Sequence, residues 1–187
     1  MKIKNLLVTA LCLVSLVAAN AQTPSFNKGS GVLNLTIGFG NGLYSGTTSS
    51  VPPIAASYEV GIVDNIAEKG SIGIGGYLGY TSAKWDFGYG YSVKSSDIVI
   101  GVRGLFHYPF VDKLDTYAGL LLGYDINSWS TTGTAFEGIS ASNSYGGLKI
   151  GIFAGARYYF SDMFAGVVEV GTGLAYFNIG VALKLSK

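Results

Sequence analysis

The chain has 187 residues, 12% of them charged against a usual share of about 25%, yet 49% are hydrophobic and 13% aromatic. Disordered chains are charged and poor in aromatics, and nucleic-acid binders carry a basic surplus that a net charge of +1 does not supply. The 28 glycines show no three-residue period, so a collagen-like chain is excluded as well.

Lys2 and Lys4, the apolar stretch Leu6 to Ala19 and the small residues of Ala19-Asn20-Ala21 predict a secretory signal peptide over residues 1–21. The stretch is too short for a spanning helix, which needs about 20 apolar residues. Cleavage there leaves 22–187 as one domain, with ten basic against eleven acidic side chains. Cys12 departs with the leader, so no disulfide and no thiolate metal site is expected in the exported part.

Beyond the leader the pattern has period two, the mark of strands whose side chains switch faces at every residue. Leu33, Leu35, Ile37 and Phe39 alternate with Asn34, Thr36 and Gly38. Ile98, Ile100, Val102 and Phe106 alternate with Asp97, Gly101, Arg103 and His107, and comparable runs follow around 148–160 and 177–185. Eight strands are predicted, at about 31–40, 54–63, 71–83, 96–108, 116–126, 145–160, 164–172 and 174–185. Connections near 64–70, 109–115 and 161–163 are short; those near 41–53, 84–95 and 127–144 are longer and rich in Ser, Thr, Gly and Tyr, and the last, at Thr172 and Gly173, is tight. An even strand number with short turns at one end and long loops at the other is the pattern of a transmembrane barrel.

Charge decides which face points outward. A soluble domain needs about a quarter of its surface charged. Here the face opposite the aliphatics carries only single charges: Glu59, Arg103, Lys149, Arg157, Glu169 and Lys184, with Asp97 and Asp125 nearer the long loops. That face suits a cramped polar lumen, and the aliphatic face suits lipid. Gly73, Gly75, Gly79, Gly119, Gly123, Gly151 and Gly155 fall on the polar face and make room for long neighbours in a narrow interior. Two aromatic belts are expected, Tyr108, Phe110, Tyr158, Phe160 and Phe164 at the short-turn end and Tyr80, Trp85, Phe87, Tyr124 and Tyr145 toward the long loops. The predicted fold class is all-β, an eight-stranded antiparallel up-and-down transmembrane β-barrel; a secreted soluble ligand-binding barrel is the alternative.

The chain resembles the small eight-stranded outer-membrane β-barrels of the OmpA-like and OmpX-like group. The stretches that carry the likeness are Tyr58-Glu59-Val60-Gly61, Gly70-Ser71-Ile72-Gly73-Ile74-Gly75-Gly76-Tyr77 and Gly155-Ala156-Arg157-Tyr158-Tyr159-Phe160-Ser161-Asp162, followed by Glu169-Val170-Gly171. The likeness covers residues 22–187 and implies a monomer in the bacterial outer membrane, surrounded by its lipid. Many such barrels end on an aromatic residue read by the assembly machinery; this sequence ends Leu183-Lys184-Leu185-Ser186-Lys187, which weakens that signal.

Some barrels of this group are lipid acyl-transferases or deacylases, with a histidine at the extracellular rim. The single histidine, His107, falls near the periplasmic end, so no catalytic residue is assigned, and scattered carboxylates provide no metal or cofactor site. The constellation to defend is an ion-pair network in the lumen, built on Glu59, Arg103, Arg157 and Glu169 at similar depth and joined by Lys149 and Lys184, with Arg157 expected to pair with Glu169. Tyr44, Trp85, Tyr89, Tyr91 and Trp129 are the expected contact residues of the long loops, where an extracellular ligand or protein binds. The functional expectation is a structural or surface-interaction scaffold with a plugged lumen; the alternative is a narrow conduit for small or hydrophobic solutes. No nucleic-acid partner is expected.

Overall fold

The computed structural model describes residues 26–40, 49–88, 90–133 and 141–186; the expected leader, Tyr44 and Tyr89 lie outside the described residues. The described residues form eight strands: β1 (Gly31–Phe39), β2 (Ser49–Ile66), β3 (Gly70–Asp86), β4 (Ser92–Val111), β5 (Leu114–Thr132), β6 (Ser142–Tyr159), β7 (Phe164–Gly171) and β8 (Phe177–Ser186). Each pairs antiparallel with its neighbour in sequence, and β1 pairs with β8 from Val32↔Lys184 to Phe39↔Phe177, closing the barrel. Closure leaves every strand with two neighbours over the body of the wall, so the edge problem of an open sheet disappears there.

The wall is uneven. β2 to β6 run for 17 to 20 residues, whereas β7, β1 and β8 have 8, 9 and 10. Several strands outrun the spans the alternation predicts, by up to six residues at Thr132 of β5. The reason is chemical: the apolar alternation stops at Tyr80, Ile98 and Ile126, but the ladder continues through Ser82↔Ser96↔Ser128↔Ser144, whose polar side chains carry no periodic signal. Conversely, β8 starts at Phe177 rather than at 174, because Leu174 and Ala175 turn inward and are buried.

Parity holds around the ring. Leu120, Ile150 and Ile152 are 60% or more exposed, while Arg157 and His107 on the opposite parity are fully buried. The lumen is less polar than its charge pattern suggests. Val99, Leu121 and Leu174 form one apolar cluster against Tyr77 and Phe153, Leu105, Tyr117 and Val167 a second, and Phe26, Val32, Tyr159, Ala165 and Ala182 a third. An eight-stranded interior holds side chains and little else, so its inward positions pack as a core.

A segment ahead of β1 belongs to this interior. Phe26 is buried; its carbonyl accepts from the Ser71 hydroxyl at 3.0 Å, and the Gly29 N–H donates to Gly61 O at 2.9 Å. Asn27 and Ser30 clasp each other through Ser30 Oγ to Asn27 Oδ1 at 2.7 Å. At Gly61 a Cβ would lie 2.0 Å from Asn27 O, so only glycine lets the segment pass this close to β2.

Candidate functional site

Charged side chains collect in two layers inside the lower barrel. In the layer nearer the short turns, Arg157 of β6 reaches across the lumen to Glu59 of β2, and its Nη2 lies 3.2 Å from Asp115 Oδ2 of β5. His107 of β4 lies beside them, Nδ1 3.0 Å from Asp115 Oδ1 and Nε2 3.9 Å from Glu59 Oε1. All four side chains are at most 2% exposed. Aromatic rings close the layer: Phe26 stacks on His107 at 3.9 Å between centroids, and the Arg157 guanidinium lies 4.7 Å from the Tyr117 ring centre.

In the layer above, Arg103 Nη2 pairs with Glu169 Oε2 of β7 at 2.5 Å, and its Nη1 donates to Ser57 Oγ at 3.2 Å, which also accepts from Asn34 Nδ2 at 3.1 Å. The guanidinium lies 3.7 Å from the Phe153 ring centre. Tyr117 joins the layers, its hydroxyl donating to Glu169 Oε2 at 3.2 Å while its ring faces Arg157. Glycine opens the space: Gly75 stands between Glu59 and Arg103 in the cross-strand ladder, and a Cβ at Gly155 would lie 2.6 Å from the Tyr117 ring. A cavity of about 20 Å³ remains beside Arg103, Glu169, Tyr77 and Leu174, about the room of one water molecule.

Glu59, Arg103, Arg157 and Glu169 therefore share the lower lumen, but in other pairs than the hairpin suggests. Arg157 stands opposite Val167 in the β6–β7 ladder and Glu169 opposite Gly155, and Arg157 turns across the lumen instead of toward its hairpin partner. Lys149 lies eight residues further up β6, 3.6 Å from Asp125, with both side chains about a quarter exposed or more. Lys184 sits at the short-turn end of β8 opposite Val32. Asp115 and His107 complete the lower layer. The apolar pattern leaves Asp115 in the 109–115 connection, but β5 begins at Leu114, and parity with Tyr117 and Leu121 turns Asp115 inward.

The loop residues also shift. Trp85 is a β3 residue paired with Val93, and Trp129 a β5 residue between Ser95 and Asn143, because the strands outlast their apolar pattern. Tyr91 lies in the connection between β3 and β4, its ring 5.8 Å from Phe87. At the short-turn end, Phe110, Tyr158, Phe160 and Phe164 are all at least half exposed. Toward the long loops, Phe87, Tyr124 and Tyr145 are at least half exposed, Tyr145 although it falls on the inward parity; Trp85 is also on that parity, and Phe39 and Phe177 add two further exposed rings 6.4 Å apart.

A closed ring of eight antiparallel up-and-down strands, apolar outside and charged within, defines a small β-barrel of the membrane-protein type. Among solved structures the fold is similar to Ail, the attachment invasion locus protein of Yersinia pestis, crystallised with the heparin analogue sucrose octasulfate. That likeness has a TM-score of 0.51 at 12% identity and covers 84% of this chain and 95% of Ail. A second Ail structure superposes at a TM-score of 0.47, also at 12% identity and the same coverage. No protein-family model and no curated protein matches the sequence.

Proposed function

We propose that the chain is an integral barrel of the bacterial outer membrane whose lumen is closed by its own side chains and whose long-loop end meets extracellular ligands. The observation that carries this reading is the inverted arrangement of polarity. A continuous coat of half-exposed Leu, Ile, Val and Phe far exceeds the apolar patch of a few hundred Å² that soluble monomers tolerate, while Arg157, Glu59, Asp115 and His107 are buried. Lipid solvates such a coat and water does not.

The two charged layers, the apolar clusters and the Phe26 segment support a plugged lumen, which favours a scaffold over a conduit. Ail, with the same fold, binds a sulfated sugar analogue, which supports a ligand-binding role for the exposed end of this barrel. The direct test is fractionation with outer membrane together with heat-modifiable gel mobility. Recovery in the soluble periplasmic or secreted fraction, without a heat shift, would sink the membrane reading. Steady single channels in planar bilayers would replace the plugged scaffold by the conduit.

A further inference from the structure

Above the apolar band, the outward face of the wall changes chemistry within one step, and the register fixes where. Tyr80, Ile98 and Ile126 are cross-strand neighbours on β3, β4 and β5. Two residues closer to the long loops, the same ladder holds Ser82, which is buried, and then Ser96, Ser128 and Ser144. The next row sets Lys84 directly opposite Lys94 and continues with Ser130 and Ser142. No register shift interrupts β3, β4 and β5 across these rows, so the parity that turns Ile98 outward carries through to both lysines. Both are exposed. Among the described residues neither forms an ion pair, and the Asp86 carboxylate two residues along β3 accepts from the Gly88 N–H at 3.0 Å.

Like charges directly opposite on a ladder repel each other. The strands cannot relieve this by slipping one residue, because a slip would turn Ile98, Ile100 and Val102 into the lumen. The register thus holds two ammonium groups side by side, two steps beyond the end of the apolar coat. That is the depth at which lipid headgroups lie and lysine stems extend along apolar surface to reach them.

We propose that Lys84 and Lys94, with the Ser130 hydroxyl beside Lys94, bind the phosphate of an anionic membrane lipid whose acyl chains lie against Tyr80 and Ile98. The site rests on the membrane reading above, and its chemistry is that of two cations sharing one dianionic headgroup. It tethers the barrel to particular lipids at the rim of the taller wall.

The test uses the whole chain, refolded and placed in phosphatidylcholine nanodiscs doped with phosphatidic acid, with retained lipid counted by native mass spectrometry after partial delipidation. The intact protein is expected to enrich phosphatidic acid several-fold over phosphatidylcholine. The double variant Lys84→Gln, Lys94→Gln is expected to lose that enrichment, and Lys113→Gln, at the opposite end of the barrel, to keep it. Undiminished enrichment in the double variant overturns the proposal. So does lysine-dependent binding of inorganic phosphate or sucrose octasulfate without any lipid preference, which would make this a site for free anions or sulfated sugars. Heat-modifiable mobility is measured on every sample. Lost enrichment with the heat shift intact isolates the headgroup site, whereas a missing heat shift in the intact protein removes the membrane reading itself.

Discussion

Arg157 occupies a place where a guanidinium survives only with partners. Glu59 and Asp115 both reach it, and His107 hydrogen-bonds to Asp115 through Nδ1 while its Nε2 lies 3.9 Å from Glu59. Removing one partner of a buried pair leaves an uncompensated charge and costs about 3–5 kcal/mol. Arg157→Leu is therefore expected to reduce the unfolding free energy of the barrel refolded in vesicles by that amount, with a lowered urea midpoint, because Glu59 and Asp115 are left side by side in the lumen. Lys149→Leu is the control: its pair with Asp125 is partly exposed, where such pairs are worth about 0–1 kcal/mol. Equal midpoints for the two variants would show that Arg157 does not hold the lower layer. Phe26 makes a second prediction at this scale. Phe26→Ala empties a buried aromatic site against His107 and is expected to cost about 3–5 kcal/mol in the same assay, although Phe26 precedes the first strand.

At the scale of elements, the turn between β2 and β3 stores strain. Ala67 and Glu68 have φ of 48° and 76°, a region where side chains other than glycine's are disfavoured by about 1–2 kcal/mol. Glu68→Gly relieves this and loses part of the gain to the freer unfolded chain, so a net stabilisation of about 0.5–1 kcal/mol is expected in the thermal or urea midpoint. A second element is the upper half of β6. Its ladder with β7 begins at Phe153↔Gly171, whereas its ladder with β5 continues up to Ser130↔Ser142. The β7-facing amides of β6 on the long-loop side of Ile152 are expected to exchange hydrogen faster than those from Ala154 to Tyr159; equal protection of these amides would show that a further element covers that edge. The alternation made the apolar part of every strand legible, yet it was silent over the polar upper parts. Serine rows such as Ser82, Ser96, Ser128 and Ser144 become strand only because a neighbour is there to bond with.

Over the whole molecule, the lipid is the solvent that the outer face is built for. A charge placed at mid-wall should cost far more than one placed at the hydroxyl row. Leu120→Arg is expected to destabilise the vesicle-inserted barrel by about 2–4 kcal/mol and Ser128→Arg by about 0–1 kcal/mol. Equal costs would mean that the face does not meet hydrocarbon. The sequence by itself determined which side of each strand faces out, because a period of two is local and any strand carrying it must divide its residues the same way. It also marked Glu59, Arg103, Arg157 and Glu169 as the inward charges. Only the tertiary structure decided who meets whom. Closing β1 on β8 brings β2 across the lumen from β6, and Arg157 finds Glu59, 98 residues away in sequence, instead of the carboxylate on its own hairpin. Pairing across a closed ring depends on the stagger of all eight strands at once, and no local pattern carries that sum.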